Sequence, residues 1–571
     1  MKWSTRIMSG YENYGAVQLL TAALLLGAVA AGFAAILLWN RWKNRKRLMA
    51  RIRREWGQEP ERQYDPTEFD CISHYYLNRE SDGFQIDDIT WSDLDMDRVF
   101  MQMNHTRSFL GESYLYYRLR TPQTESGELE EFEQLVSWFG THETEREEME
   151  YFFARIGKTG RSSVFDYIFN LAEADSGSNL IHYGVILLVL CSVGMLFVYP
   201  QPGILLLIAA MGVSIGTYEH YKRPVAPYIV SCTALEKVLQ AAEQIVKQDV
   251  ILMKKAEIRK AVSAFKKLRR NMLLLVAGET QGGGLEQSLF IYLNNLFHID
   301  LIQFKTVVKE VSAHMTEFEF LVDEIGRIES AIAVASYRRM LPEHAAPVLH
   351  EGGEVRFRAE KMYHPLIVQP VPNSIDMERC VLLTGSNASG KSTFLKTAAL
   401  QIILAQTIHT ALAKEYEACY FRVFSSMALR DDLVGEESYY MVEIRSLKRI
   451  LDRMKGDVPV FCCVDEVLRG TNTVERIAAS SQILKRMAQE KLLCMAATHD
   501  IELTYLLEDT YRNCHFEEEV TEDEIRFDYL LKEGRAMTRN AIRLLHMMGF
   551  EDSVIQSAEK MAEKLAKQPG R

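Results

Sequence analysis

Residues 385–392 read Gly385-Ser386-Asn387-Ala388-Ser389-Gly390-Lys391-Ser392, with Thr393 next. The run fits G-x-x-x-x-G-K-[ST] without deviation, and few folds can carry it. The apolar stretch Cys380-Val381-Leu382-Leu383 precedes it and a helix-compatible stretch follows. That strand–loop–helix setting is what gives the pattern its meaning. Glycines let backbone N–H groups curl around phosphate oxygens, and the start of a helix adds a positive partial charge. Residues 385–393 are therefore expected to hold ATP with Mg²⁺. Lys391 should reach the β- and γ-phosphates, and the Ser392 hydroxyl should ligate the metal.

Two later apolar runs end in polar residues. Val458–Val464 leads into Asp465-Glu466. Carboxylates delivered beside a phosphate loop have clear roles. Asp465 holds Mg²⁺ directly or through water, and Glu466 orients and deprotonates the attacking water. Leu492–Ala497 leads into Thr498-His499. His499 could sense the γ-phosphate or help align the water; a capping or core histidine is the alternative. From about residue 355 such runs alternate with helical stretches. This predicts an α/β domain on a parallel sheet, with functional loops at the strand C-termini.

The front of the chain obeys different constraints. From Gly15 to Trp39 there is no charged side chain. As a helix rising ~1.5 Å per residue, this stretch exceeds a hydrocarbon core of ~30 Å. Trp39 and Trp42 fall where an interfacial belt would lie. Arg41, Lys43, Arg45, Lys46, Arg47, Arg51, Arg53 and Arg54 follow, against Lys2, Arg6 and Glu12 before the run. The bias predicts a helix crossing the plasma or inner membrane, with the N-terminus outside and the rest cytoplasmic. A cleaved signal peptide would have a shorter apolar core and its charges on the other side. The basic flank 41–54 is also a candidate for anionic lipid.

A second apolar region, Ile181–Tyr199 and Ile204–Thr217 about Pro200-Gln201-Pro202-Gly203, predicts a tight helical hairpin. Its second arm is short for a full crossing, so crossing, re-entrant and buried soluble hairpins all stay open. Around it, Val99, Met103, Phe109, Tyr114 and Leu119 keep helical spacing, and residues 228–340 read as long helices bent at Gly282-Gly283-Gly284. The run Lys254, Lys255, Arg259, Lys260, Lys266, Lys267, Arg269 and Arg270 reads either as a solvated face or as a phosphate-contacting surface. A net charge of -11 argues against a dedicated nucleic-acid coat but leaves room for such a patch. The 9 cysteines include no Cys-x-x-Cys pair, so reduced, buried thiols are expected rather than disulfides or zinc.

Over residues 355–557 these motifs resemble the ATPase domain of the MutS family of DNA mismatch repair proteins. The family's T-G-P-N-M-G-G-K-S-T is similar to Thr384–Thr393 here, and its D-E-L-G-R-G-T to Asp465–Thr471. Its sensor histidine is similar to His499, and its R-H-P element to Tyr363-His364-Pro365. Asp431-Asp432-Leu433, Gly435 and Ser438–Glu443 resemble its D-D-L…S-T-F-M-x-E segment. In the family that serine reaches across a dimer to the partner's ATP. The resemblance therefore implies a homodimer in which Ser438 completes the neighbour's nucleotide site. Tyr529-Leu530-Leu531, Gly534, Asn540-Ala541-Ile542 and Met548-Gly549-Phe550 look like the family's final strand and dimerising tail. Asp97–Pro122 and Ile328–Ala333 resemble, more weakly, the start of its helical core and the end of its lever.

The implied fold is an α/β P-loop (ABC-type) ATPase domain at the C-terminus, preceded by an all-α core and lever domain with transmembrane helices. The expected divisions are a tail over 1–14, a transmembrane helix over 15–39, a basic segment over 40–60 and core helices over 61–178. A membrane hairpin over 179–220, a lever over 221–345 and the ATPase domain with dimerisation helices over 346–571 complete it. Ala388-Ser389 replace the family's Met-Gly and Tyr439-Tyr440 its Thr-Phe, without loss of a phosphate or metal ligand. The family's mismatch-reading Phe-x-Glu wedge has no counterpart in residues 1–60. The resemblance thus implies ATP hydrolysis coupled to movement of helical arms, with DNA as partner but without mismatch readout by that wedge. The competing expectation is a mechanical or signalling ATPase acting on a membrane or protein partner. A transporter engine fits less well, because one helix and a hairpin offer little pore.

Overall fold

The computed structural model describes residues 31–566 except 33–34, 37, 80–82, 161–162, 172–177, 270–271, 273–284, 353, 387–388, 428–438, 469–471, 489–490, 521–524 and 537–547. The tail over 1–14, most of the expected helix over 15–39, Gly282-Gly283-Gly284, Asp431–Ser438, Arg469-Gly470-Thr471 and Asn540-Ala541-Ile542 lie outside the described residues.

Among the described residues, 31–340 form helices and turns without a strand. A helix over 38–55 carries the basic flank, and part of that flank docks on the protein itself. Arg53 meets Glu147 through two hydrogen bonds of 2.8 Å, and Arg45 meets Glu148 at 2.6 Å. The Arg146 guanidinium lies 3.7 Å from the centroid of the Trp56 ring. Ile52 is buried beside them. Arg41, Lys43, Lys46, Arg47 and Arg54 face solvent.

The centre of the helical part is the crossing of helix Phe109–Arg120 on helix Met315–Met340. Two glycines permit it. A Cβ on Gly111 would lie 2.3 Å from Glu329 Cδ, and one on Gly326 would lie 2.5 Å from Tyr114 Cβ. The Glu329 carboxylate accepts the N–H groups of Arg107 and Ser108 and the Ser108 hydroxyl, so it ties the two helices together. Burial pushes its pKa up to about 7.

The hairpin is present as helices Asn179–Val198 and Pro200–Ile245, both long and apolar enough to cross a membrane. The second arm does not stop near Thr217 as expected. The helix is 46 residues long in all and continues through Pro224 and Pro227 to Ile245. The change from apolar to polar at Tyr218–Lys222 marks the end of the apolar surface, not of the helix. Beyond it, Val225, Ile229, Cys232, Leu235, Leu239 and Ala242 form a buried stripe at helical spacing that holds the helix against the core. Leu187, Leu190, Phe197, Leu205 and Ile208 stay exposed on the apolar part. At its base, His182 Nδ1 lies 2.8 Å from His298 Nδ1, and Asp300 accepts hydrogen bonds from Tyr218 and Lys222 at 2.7 and 2.9 Å.

Among the described residues, strands begin at residue 348: β1 (Val348–His350), β2 (Phe357–Met362), β3 (Asn373–Met377), β4 (Cys380–Thr384), β5 (Glu415–Cys419), β6 (Arg422–Ser426), β7 (Val460–Asp465), β8 (Leu492–Ala497), β9 (Tyr511–His515), β10 (Glu518–Val520), β11 (Ile525–Phe527) and β12 (Lys532–Glu533). The main sheet has the order β12-β9-β4-β8-β7-β6 and is parallel except at β12; a smaller sheet has the order β1-β5-β2-β3. The helix Lys391–Ile408 is buried along almost its whole length between the main sheet and the helical part. Its C-terminal end receives Arg118 Nε on the Thr407 carbonyl at 2.6 Å and Arg338 Nη2 on the His409 carbonyl at 2.8 Å. Cations there suit the negative end of a helix dipole. The cysteines are free and, Cys71 and Cys191 apart, buried.

Arg338 also pairs with Glu133 of helix Ser126–Thr141. Burial opposes ionisation of that carboxyl, but hydrogen bonds from Arg338 and His409 outweigh it and hold the pKa at about 2. The folded value is depressed, so the stabilisation is complete above about pH 4.5 and fades as the pH falls toward 2. Glu133→Gln is expected to flatten the acid limb of the stability curve in that window and to leave the slope near neutrality unchanged. Urea denaturation at a series of pH values checks this.

Candidate nucleotide site

The strand order puts β8 between β4 and β7, so the loops after Thr384, Asp465 and Ala497 leave the sheet side by side. Gly385 opens the phosphate loop at φ +146, and a Cβ there would lie 2.6 Å from the Phe516 carbonyl oxygen. Only glycine suits both demands. Lys391 Nζ donates to the carbonyls of Gly385 and Ser386 at 2.9 and 2.8 Å and lies 3.5 Å from His499 Nε2. Burial lowers the lysine pKa, while Asp465, Glu466 and Glu518 oppose that. The ammonium group is thus held over the loop that a phosphate would enter.

Burial raises the Asp465 pKa, opposed first by a hydrogen bond from Ser392. The Ser392 hydroxyl and the Asp465 carboxylate therefore meet, a pair of hard oxygen donors that fits Mg²⁺. Glu466 sits at φ 52, its N–H donating to the Ala497 carbonyl at 3.0 Å. That left-handed turn re-aims the side chain, and one carboxylate oxygen comes 2.9 Å from His499 Nε2. Leu468 N–H donates to Glu443 of helix Tyr439–Asp452, which pins the loop after β7. Arg476 grips Asp500, next to His499, at 2.9 and 2.6 Å.

The structure brings together Gly385, Ser386, Ser389, Gly390, Lys391, Ser392, Thr393, Asp465, Glu466 and His499; Asn387, Ala388 and Ser438 lie outside the described residues. Ser386, Ser389, Gly390, Lys391, Ser392, Thr393 and Glu466 line a cavity of about 490 Å³. Ile367, Val371, Phe516 and Tyr529 complete its wall, Phe516 and Tyr529 lying against Gly385 and Gly390. Sequence reasoning missed that wall. These side chains are apolar or aromatic, with Gln369 and Asn373 among them, and they come from separate loops with no pattern of their own. Only Tyr363-His364-Pro365 pointed toward it. His364 is buried, which lowers its pKa to about 4 and keeps it neutral. Also missed was Glu518, which accepts a hydrogen bond from Ser386 Oγ at 2.7 Å.

Residues 381–566 match the family model described as MutS domain V. The chain is 28% identical over 270 residues to the DNA mismatch repair protein MutS of Natronomonas pharaonis, covering 45% of this chain and 31% of that protein. It is 30% identical over 220 residues to that of Thermus thermophilus, covering 38% and 27%. It is 27% identical over 272 residues to that of Thermotoga petrophila, covering 46% and 33%. The chain thus spans about a third of the length of the curated relatives it matches.

Proposed function

We propose, on the premise that this chain belongs to the MutS family, that it binds MgATP on residues 385–393 and hydrolyses it with Asp465, Glu466 and His499. What carries this reading is the meeting of Lys391, the Ser392–Asp465 pair and the Glu466–His499 pair at one edge of a parallel sheet. Lys391 and the loop amides bind the phosphates, Ser392 and Asp465 hold the metal, and bound Mg²⁺ supplies charge neutralisation between the phosphates. Glu466 accepts a proton from the attacking water, and His499 orients that carboxylate. Two copies pair, Ser438 of each serving the other's nucleotide, and turnover resets the helical arms.

On this reading the helix over 15–39 and the hairpin hold the protein in the plasma or inner membrane, with the ATPase part cytoplasmic and the N-terminus outside. DNA is the partner that the relatives' names suggest, and the exposed Lys254, Arg259, Lys260, Lys266 and Lys267 supply a phosphate-contacting surface. One observation favours a second reading. The hairpin presents apolar rather than basic side chains, which suits an ATP-driven machine working on a membrane or protein partner without DNA.

Replacing Lys391 by alanine is expected to weaken MgATP binding by about a hundredfold, since it removes a charge-assisted contact to two phosphates. Equal affinity in titration calorimetry would overturn the nucleotide assignment. ATP turnover of detergent-solubilised dimer, measured with duplex, branched or no DNA across salt concentrations, separates the two readings. Stimulation that fades steeply with salt supports a DNA clamp; no response to any DNA leaves the membrane or protein partner. Release from membranes by alkaline carbonate alone would exclude integral anchoring.

A further inference from the structure

The loop that carries Glu466 is tethered at each of its first residues after β7. The Glu466 N–H donates to the Ala497 carbonyl of β8 at 3.0 Å. The Ser480 hydroxyl, from helix Thr473–Met487, donates to the Val467 carbonyl at 3.1 Å. The Leu468 N–H donates to the Glu443 carboxylate, from helix Tyr439–Asp452. Glu466 and Leu468 both sit in the left-handed region, at φ 52 and 59. A leucine holds that backbone only where its surroundings over-determine it. Glu443 supplies one such constraint. Packing supplies another, because Val467 and Leu468 share a buried apolar cluster with Leu447 and Ile450. Glu443, Leu447 and Ile450 lie on one face of their helix.

Further along the same helix, Arg449 is fastened to a different part of the molecule. It pairs with Asp87 and donates to the Ser425 carbonyl in β6. Asp87 caps helix Asp88–Asp93 of the helical part, accepting the Thr90 N–H at 2.9 Å. That short helix also grips the end of β6. Asp93 accepts the Ser425 hydroxyl at 2.6 Å and the Met427 N–H at 3.1 Å. The Thr90 hydroxyl accepts the Ser425 N–H at 3.1 Å. Helix Tyr439–Asp452 thus touches the helical part at Arg449 and the loop of the expected base at Glu443. A rigid helix passes a displacement at one such point to the other.

We propose that this helix couples the helical part to hydrolysis. Glu443 is a positioning residue that sets where the Glu466 carboxylate stands, and the Asp87–Arg449 pair ties that position to the helical part. The inference rests on the reading of Glu466 as the group that activates water. Control falls on turnover rather than on nucleotide affinity, since neither Glu443 nor Arg449 is among the residues lining the nucleotide cavity. A shift of the base by about 1 Å is enough to cost about a hundredfold in rate.

The test measures MgATP affinity and single-turnover hydrolysis on the full chain. Glu443→Ala should keep the parent affinity and lower the rate about tenfold or more. Glu443→Gln keeps an oxygen that accepts the Leu468 N–H and should recover most of that loss. Arg449→Met should slow hydrolysis about fivefold at unchanged affinity, and adding it to Glu443→Ala should cost nothing further, because both act through one helix. If Arg449→Met fails to fold on thermal melting, Asp87→Asn, which keeps the helix cap, takes its place. Parent rates in the single variants overturn the proposal. So do effects that multiply in the double variant, or a loss of affinity that matches the loss of rate. Glu466→Gln separates this inference from the reading beneath it. If that variant still hydrolyses ATP, or the parent does not, the assignment of the base fails and this inference with it. If it is inactive while Glu443→Ala turns over at the parent rate, this inference alone fails.

Discussion

Glu466→Gln is expected to keep MgATP binding at the parent affinity while turnover falls by about two to three orders of magnitude. The substitution keeps shape and hydrogen-bonding reach, so the contact with His499 at 2.9 Å survives in altered form. It removes only the capacity to accept a proton from water. The backbone at Glu466 sits in the left-handed region, at φ 52, which glutamine tolerates no worse than glutamate, so a folding defect is not an alternative cause. Single-turnover hydrolysis beside equilibrium binding of a fluorescent ATP analogue measures the two quantities separately. Undiminished hydrolysis would move the base to another group. Loss of binding would mean that Glu466 holds the nucleotide rather than the water.

Gly111→Ala should be the most destabilising of the single-methyl changes considered, by about 3 kcal/mol or more. The new Cβ would lie 2.3 Å from Glu329 Cδ and 2.4 Å from one of its carboxylate oxygens. Those atoms cannot yield cheaply, because the carboxylate caps the N–H groups of Arg107 and Ser108 at the start of helix Phe109–Arg120. Moving it breaks buried hydrogen bonds as well as the helix crossing. Gly140→Ala is the control. It lies in helix Ser126–Thr141 with nothing within 4 Å of a new Cβ, so it should be neutral or stabilising by up to ~1 kcal/mol. Urea denaturation of both variants checks the contrast; equal stabilities would show that the two helices do not cross at residue 111.

The candidate nucleotide site was legible because a loop that wraps phosphate must do so with consecutive backbone amides, which places Gly385, Gly390, Lys391 and Ser392 in one contiguous pattern. Asp465-Glu466 and Thr498-His499 were legible because parallel strands β7 and β8 deliver them at fixed ends. The wall formed by Ile367, Val371, Phe516 and Tyr529 was not, since an apolar surface imposes no spacing on loops that come from distant parts of the chain. Likewise, the fall in hydrophobicity after Thr217 shows where the apolar surface of the hairpin ends, but only packing of Val225, Ile229 and Leu235 shows that the helix continues.

By itself, then, the amino-acid order determined the local pattern: a glycine-rich loop between a strand and a helix, two carboxylates at the end of a later strand, apolar segments long enough to cross a bilayer, and helices ahead of a parallel sheet. Tertiary structure alone decided which cations are spent. Arg53 and Arg45 are taken by Glu147 and Glu148, and Arg449 by Asp87. The reason is physical. Local motifs follow from neighbouring backbone geometry, while pairing and burial of charge depend on which distant surfaces the fold presses together.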